Sequence, residues 1–200
     1  MSELETSVKP TILSLLADSK TTLTQKEISA LSLWIAVKTV VGEHWYDNLS
    51  LTPSEDRYLI YKNKVIPEYF QIFLGFHSLR DQAAYQRQST TVSFDKNGPD
   101  PTLLNNIQRN IQVVCFLIGR LFIYVASARV TGFNMDTLSP TGMLRLWPPQ
   151  GDSLDLNALM PMEKDLVEVA TNKLNMLISS PTVIYGGSLP SEILTTPTNP

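Results

Sequence analysis

Histidines, cysteines and paired carboxylates build most metal and acid–base sites, and this 200-residue chain is sparing with all three. It has two histidines, His44 and His77, and one cysteine, Cys115. Neither histidine has another ligand at metal spacing, and no His-Glu-x-x-His run or Cys/His cluster occurs. One cysteine excludes an internal disulfide and any Cys-based zinc site; between Val114 and Phe116 it reads as a buried, inert thiol. His44 follows an apolar helix, whose C-terminus favours a cation, so capping is its simplest role. His77 ends an extended run and reads as a loop residue. There is no Gly-x-Ser-x-Gly, Walker A or Gly-x-Gly-x-x-Gly sequence. Gly186-Gly187 follows Val183–Tyr185 like a phosphate loop after a strand, but no Lys follows it. Carboxylates are not paired within any apolar run, so no acid–base dyad stands out. The chain is expected to need no zinc or other cofactor. The reading leans away from an enzyme, with an enzyme of unknown type as an alternative.

Binding chemistry is better represented. Trp34, Trp45 and Trp147, with Tyr69, Phe70, Phe73 and Phe76, are possible stacking surfaces for bases, although aromatics in apolar runs belong first to a core. Arg57, Lys62, Lys64, Arg80, Arg87, Arg109, Arg120 and Arg129 are candidates for a basic face, or for a solvated rim. Net charge is −3, unevenly spread: residues 61–147 carry nine Lys/Arg against five Asp/Glu, and both flanks are acidic. A dedicated nucleic-acid binder usually has a stronger basic excess. Lys62, Lys64, Arg80 and Arg87 are the candidate nucleic-acid contacts. Val183, Ile184, Tyr185, Ile193 and Leu194, in a Pro/Thr/Ser-rich tail over 181–200, are the candidate contacts for a protein partner or for self-association. With pI near 5.4, the protein partner is favoured.

The elements that must position these residues centre on Leu23 to His44. Thr24 and Glu27 form a capping box, with Leu23 and Ile28 at the hydrophobic-staple positions. From Ile28 to Val41 only Ser29, Ser32, Lys38 and Thr39 are polar, so this helix is expected to be enclosed, with Trp34 in the core. Ser29, Ser32, Ala36 and Thr39 form a small-residue stripe that lets another element approach. Before it, Ser2–Glu5 is a second capping box. Leu4, Val8, Ile12, Leu15 and Leu16 share a helical face, Pro10 is set to kink or divide that helix, and the short link 18–22 makes the two helices a pair.

The middle of the chain reads as strands: Tyr58–Tyr61, Tyr69–Phe76 with a possible bulge at Gly75, Ser89–Phe94 and Met143–Trp147. Ile111 to Val130 is apolar enough to suggest a membrane span. Arg120 near its centre argues against that, at a cost of about 2.5–3.5 kcal/mol. Gly119-Arg120 suits a two-residue hairpin turn joining Ile111–Ile118 to Leu121–Ala128, with a long buried helix as the alternative. Met162–Ile178 is an amphipathic helix with Leu166, Val169, Ala170, Leu174, Leu177 and Ile178 on one face. With 43% hydrophobic and 18% charged residues, wholesale disorder is not expected. The sum is one α+β domain over 1–180, two N-terminal helices and a C-terminal helix packed on one side of a mostly antiparallel sheet. No membrane span and no secretory leader are read, which makes the cytoplasm the expected location.

Some of these landmarks resemble the region that follows the zinc-HNH module in bacterial and phage HNH-endonuclease-like proteins. They are Met1-Ser2-Glu3-Leu4-Glu5, Lys9-Pro10, Leu15-Leu16, Leu31, Leu33-Trp34 and Ala36–Thr39, then Ile66-Pro67, Phe73–Gly75, Gly119–Leu121 and Leu146–Pro149. The His–Asn–His set and Cys pairs of that family have no counterpart here, so nuclease activity is carried onto no residue. The resemblance implies a non-catalytic accessory module of a bacterial or phage system, with defence or counter-defence as the expected setting. It acts through a protein partner or self-assembly, or alternatively on nucleic acid beside an HNH nuclease.

Overall fold

The computed structural model describes residues 3–44, 50–78, 83–91, 109–130 and 133–178. Helix α1 (Glu3–Leu16) is followed by a short strand β1 (Thr22–Thr24) and the long helix α2 (Gln25–Glu43). The capping box at the start of α2 forms as the sequence requires. Thr24 Oγ1 accepts from the Glu27 amide, the Glu27 carboxylate accepts from the Thr24 amide at 3.0 Å, and Leu23 and Ile28 are buried beside it. Lys20 pairs with the same carboxylate at 2.7 Å. Glu5, near the start of α1, pairs with Lys38 of α2 at 2.8 Å. Thr11, further along α1, donates to Glu27 at the start of α2. The two helices are therefore antiparallel. Pro10 lies on the exposed side of α1 and does not divide it, because Val8, Thr11 and Leu15 bury one face along both halves.

Five strands form one antiparallel sheet in the order β3-β4-β5-β2-β6: β2 (Phe70–Phe76), β3 (Ala83–Thr90), β4 (Ile111–Ile118), β5 (Leu121–Ala128) and β6 (Leu144–Trp147). The hairpin reading of Ile111–Val130 holds, with Ile118 paired to Leu121 across Gly119-Arg120. Gly119 takes φ 57° and Arg120 does not take a positive φ, the pattern of a II′ turn. The irregularity in β2 falls between Ile72 and Phe73, opposite β6, and not at Gly75, which pairs in register with Phe122. Strand β3 starts earlier than expected; Val92–Phe94 lie outside the described residues, as does Ser2.

Both faces of the sheet are buried, and this changes the expected layering. Phe70, Ile72, Leu74, Phe76, Val114, Ile123 and Val125 face α1 and α2. Phe73, Val113, Cys115, Leu117, Phe122, Tyr124 and Ala126 face the other way, toward helices α4 (Lys164–Thr171) and α5 (Lys173–Ile178). The C-terminal helices thus lie opposite the N-terminal pair, and not on one side with it. Strands apolar on both faces need a cover on each, and that is why β4 and β5 read as one unbroken apolar run.

Three further expectations are corrected. Tyr58–Tyr61 is helical: Pro53, Ser54, Glu55 and Asp56 start helix α3 (Ser54–Tyr58), which runs into a π-helical turn, Leu59–Asn63. Burial of Ile60 decides this over strand propensity. The C-terminal helix is broken at Asn172, and its buried stripe is Ala170 and Leu174 flanked by half-buried Val167 and Leu177. Leu166 and Val169 are exposed, one stripe around. Trp34 is only half-buried, because α1 covers α2 incompletely. Of the small-residue stripe, Ser32, Ala36 and Thr39 are fully buried, and Ser32 Oγ reaches the Leu146 carbonyl of β6 at 3.5 Å; Ser29 is exposed. A second, two-stranded sheet pairs β1 with β7 (Ser153–Asp155) and holds the entry to α2. Among the described residues no helix is long and apolar enough to cross a membrane.

Candidate functional site

The most concentrated polar structure lies where α2 ends. Glu43 is completely buried there. Its Oε1 accepts from Thr52 Oγ1 at 2.8 Å and from Gln112 Nε2 of β4 at 2.6 Å; its Oε2 accepts from Ser50 Oγ at 2.8 Å and the Thr52 amide at 2.9 Å. A carboxylate offers about four acceptor positions, so none is left for a substrate proton. This is a clamp between helix, loop and sheet, and not a general base. The clamp extends outward on both sides. Arg87 of β3 donates to Gln112 Oε1 at 3.0 Å. Arg57 donates to the Thr52 carbonyl at 2.8 Å and to Ser50 Oγ, and its Nη1 lies 3.3 Å from His44 Nε2. His44 is the C-cap residue of α2 through its backbone amide, which donates to the Val41 carbonyl at 3.1 Å, while its ring meets Arg57 and not the helix carbonyls.

Arginines converge on this end of the sheet. Arg129, just past β5, donates to the Leu51 carbonyl at 3.4 Å and lies over the Tyr69 ring. The Tyr69 hydroxyl donates to Asp56 at 2.6 Å; burial first, then Asp56, pushes its pKa far above the ordinary phenol value. Arg109 precedes Asn110, whose amide donates to the Thr90 carbonyl and whose carbonyl accepts from the Arg129 amide. Burial lowers the Arg109 pKa. Of the eight basic candidates, Arg57, Arg87, Arg109 and Arg129 therefore share one end of the sheet. Arg57, Arg87 and Arg129 are engaged by the protein itself. Arg120 is elsewhere, in the hairpin turn, stacked 4.1 Å over Phe76 and paired with Asp18.

Lys62 and Lys64 stand on the π-helical turn and just after it, exposed, whereas Arg87 sits on the edge strand with its guanidinium on Gln112. The four nucleic-acid candidates are thus split between elements, and Arg80 falls outside the described residues. Val183, Ile184, Tyr185, Ile193, Leu194, Gly186-Gly187 and Trp45 fall outside them too. Tyr69, Phe70, Phe73 and Phe76 belong to core clusters or pack against them, as the simpler reading held. His77 is buried and bridges to Met162, so it is not a loop residue. Cys115 is buried, and burial raises its thiol pKa far above the ordinary value. No group of three or more His, Cys, Asp or Glu suited to a metal ion occurs among the described residues.

A groove opens on the other side of α2, between it and α1. It holds about 320 Å³ and is lined by Glu5, Lys9, Ile12, Leu13, Trp34 and Lys38. Leu13 is 53% exposed. Lys38 sits 5.7 Å from the Trp34 ring centre while it pairs with Glu5, so the indole forms one wall and the ion pair one end. The arrangement offers an apolar floor with a charged rim and no reactive group.

Sequence reasoning missed Glu43 and Gln112. The signal was present: each is a single polar residue inside or ending an apolar run, and a buried polar group has to find a partner. Comparison with protein-family models, curated proteins and solved structures finds no match for this chain.

Proposed function

We propose that this chain is a non-catalytic binding module that takes a protein partner through the α1–α2 groove. One observation carries the reading: a partly buried tryptophan and an exposed leucine line a groove of about 320 Å³ between two helices otherwise anchored in the core. Tryptophan is among the residue types enriched at interface hot spots, where a partner completes its desolvation, and a charged rim of Glu5, Lys9 and Lys38 fixes register more than it adds affinity. The fully buried Glu43 carboxylate is closed by four hydrogen bonds, which favours a structural over a chemical role for that region. The accessory role implied by the HNH-associated resemblance agrees with such a module.

Leu13→Asp tests it, because Leu13 is exposed and its replacement leaves the core intact. Tagged wild-type protein, Leu13→Asp and a control change on another surface, Met160→Asp, are isolated from native cells, and bound protein is quantified. A stoichiometric partner lost only with Leu13→Asp is the expected result. A partner retained by Leu13→Asp, or no partner at all, overturns the reading.

A further inference from the structure

A second surface, on α3 and the π-helical turn that follows it, carries different chemistry. Helix α3 and its π-helical continuation bury Ile60, and Ile66 follows buried. The turn is closed by Lys64 in the left-handed conformation, φ 60°, with its Nζ on the Tyr61 carbonyl at 2.8 Å. The outer side is unusual. Tyr58 is 61%, Tyr61 41% and Val65 50% exposed, and all five residues from Tyr61 to Val65 face solvent. Those five hold two cations, Lys62 and Lys64, and no anion. Lys62 makes no ion pair among the described residues. The nearest acids in sequence are Asp56, held by Tyr69, and the exposed Glu55 and Glu68 at either end.

We propose that Tyr58, Tyr61, Lys62 and Lys64 form a binding ridge for single-stranded nucleic acid, independent of the groove between α1 and α2. Exposed aromatic faces stack on bases of any sequence, and adjacent ammonium groups neutralise the phosphates between them. A double helix offers the tyrosines no free base faces, because its bases are already stacked on one another. A membrane surface fits less well, because the continuous apolar face that an interfacial helix needs is turned inward here at Ile60 and Ile66. The chain's net charge of −3 keeps non-specific attraction to polyanions low, so that binding rests on the ridge.

The test uses the full chain and fluorescein-labelled oligo(dT) and oligo(rU) of about 15 nucleotides, the upper range of one stacking site. Anisotropy is read at two salt concentrations for wild type, Tyr58→Ala/Tyr61→Ala and Lys62→Ala/Lys64→Ala. All four side chains are exposed, and circular dichroism melts confirm unchanged folding. Loss of both tyrosines is expected to weaken binding about 30-fold or more, with an unaltered salt slope. Two phosphates predict an affinity loss of about 7-fold between 50 and 200 mM salt, which the lysine variant abolishes. Absence of binding at the lower salt overturns the proposal, as does binding that neither double variant weakens. Tyrosine-dependent binding to phosphatidylserine vesicles without oligonucleotide binding overturns it in favour of a membrane surface.

Discussion

Glu43, in the last turn of α2, accepts a 2.6 Å hydrogen bond from Gln112 of β4, a residue 69 positions later in the chain. Both are completely buried. This contact joins the N-terminal helical pair to the centre of the sheet, and Thr52 and Ser50 draw the intervening loop onto the same carboxylate. Removal of one member leaves several donors or acceptors without partners in a dry site.

Gln112→Leu is therefore expected to cost about 1.5–3 kcal/mol, the range for a hydrogen bond to a charged group. Glu43→Leu orphans the Thr52 amide, the Thr52 hydroxyl and the Gln112 amide together, and more than about 3 kcal/mol is expected. The double variant should cost less than the two added. Urea unfolding of all three measures this, and strict additivity would show that the two side chains do not interact.

Gly42 lies against Tyr85 of β3, and a Cβ at this position would meet the ring carbon Cζ at 2.9 Å as well as the hydroxyl. Gly42→Ala should destabilise by about 1–3 kcal/mol, as overpacking does. Shortening the neighbour relieves the clash, so the same change in a Tyr85→Ala background should cost clearly less. Equal costs in the two backgrounds would place the penalty in the helix and not at this contact.

The capping carboxylate of α2 gives a pH dependence of known sign. Burial raises the Glu27 pKa, but hydrogen bonds from Lys20 and Thr24 outweigh it and leave it below the ordinary 4.5. A carboxyl whose folded pKa is depressed contributes stability above its unfolded pKa and loses it as pH falls through the folded one. Wild type should therefore be more stable than Glu27→Gln near neutrality, and the difference should shrink below pH 4.5. A stability gap that grows on acidification would reverse the assignment.

Trp34 and Ile35 are neighbours in sequence but not in environment, since Ile35 is completely buried and Trp34 forms the wall of the groove. Trp34→Ala should cost about 2 kcal/mol, below the 3–5 kcal/mol of a fully buried large aromatic. Ile35→Ala should cost about 3–4 kcal/mol. Chemical denaturation ranks the two, and the opposite order would mean that the groove is closed in solution.

Much of this protein was legible in short stretches. Thr24 and Glu27 cap α2 because a capping box needs only residues three apart, and Gly119-Arg120 turns the hairpin because a two-residue loop favours glycine first. The near-continuous apolar runs Ile111–Ile118 and Leu121–Ala128 on either side of that turn are equally local. The layering was not local. The runs are apolar on both faces, so the pattern alone does not say which helix covers which side, and tertiary packing put α4 and α5 opposite α1 and α2. Tyr58–Tyr61 followed the same rule: its residues suit a strand, but burying Ile60 behind a Pro53-initiated turn favours a helix and leaves the tyrosines outside.

The candidate sites divide along the same line. The absence of metal spacing, of nucleotide loops and of a second cysteine is a property of residue order and is complete in the chain itself. Where Trp34, Lys62, Lys64 and the arginines stand is not, because a side chain's exposure depends on elements that arrive from elsewhere in the chain. Glu43 shows this most plainly. Its acceptors are filled by Ser50, Thr52 and Gln112, and only the closure of α2 onto β4 brings those donors within reach of a charge that would otherwise have to remain in water.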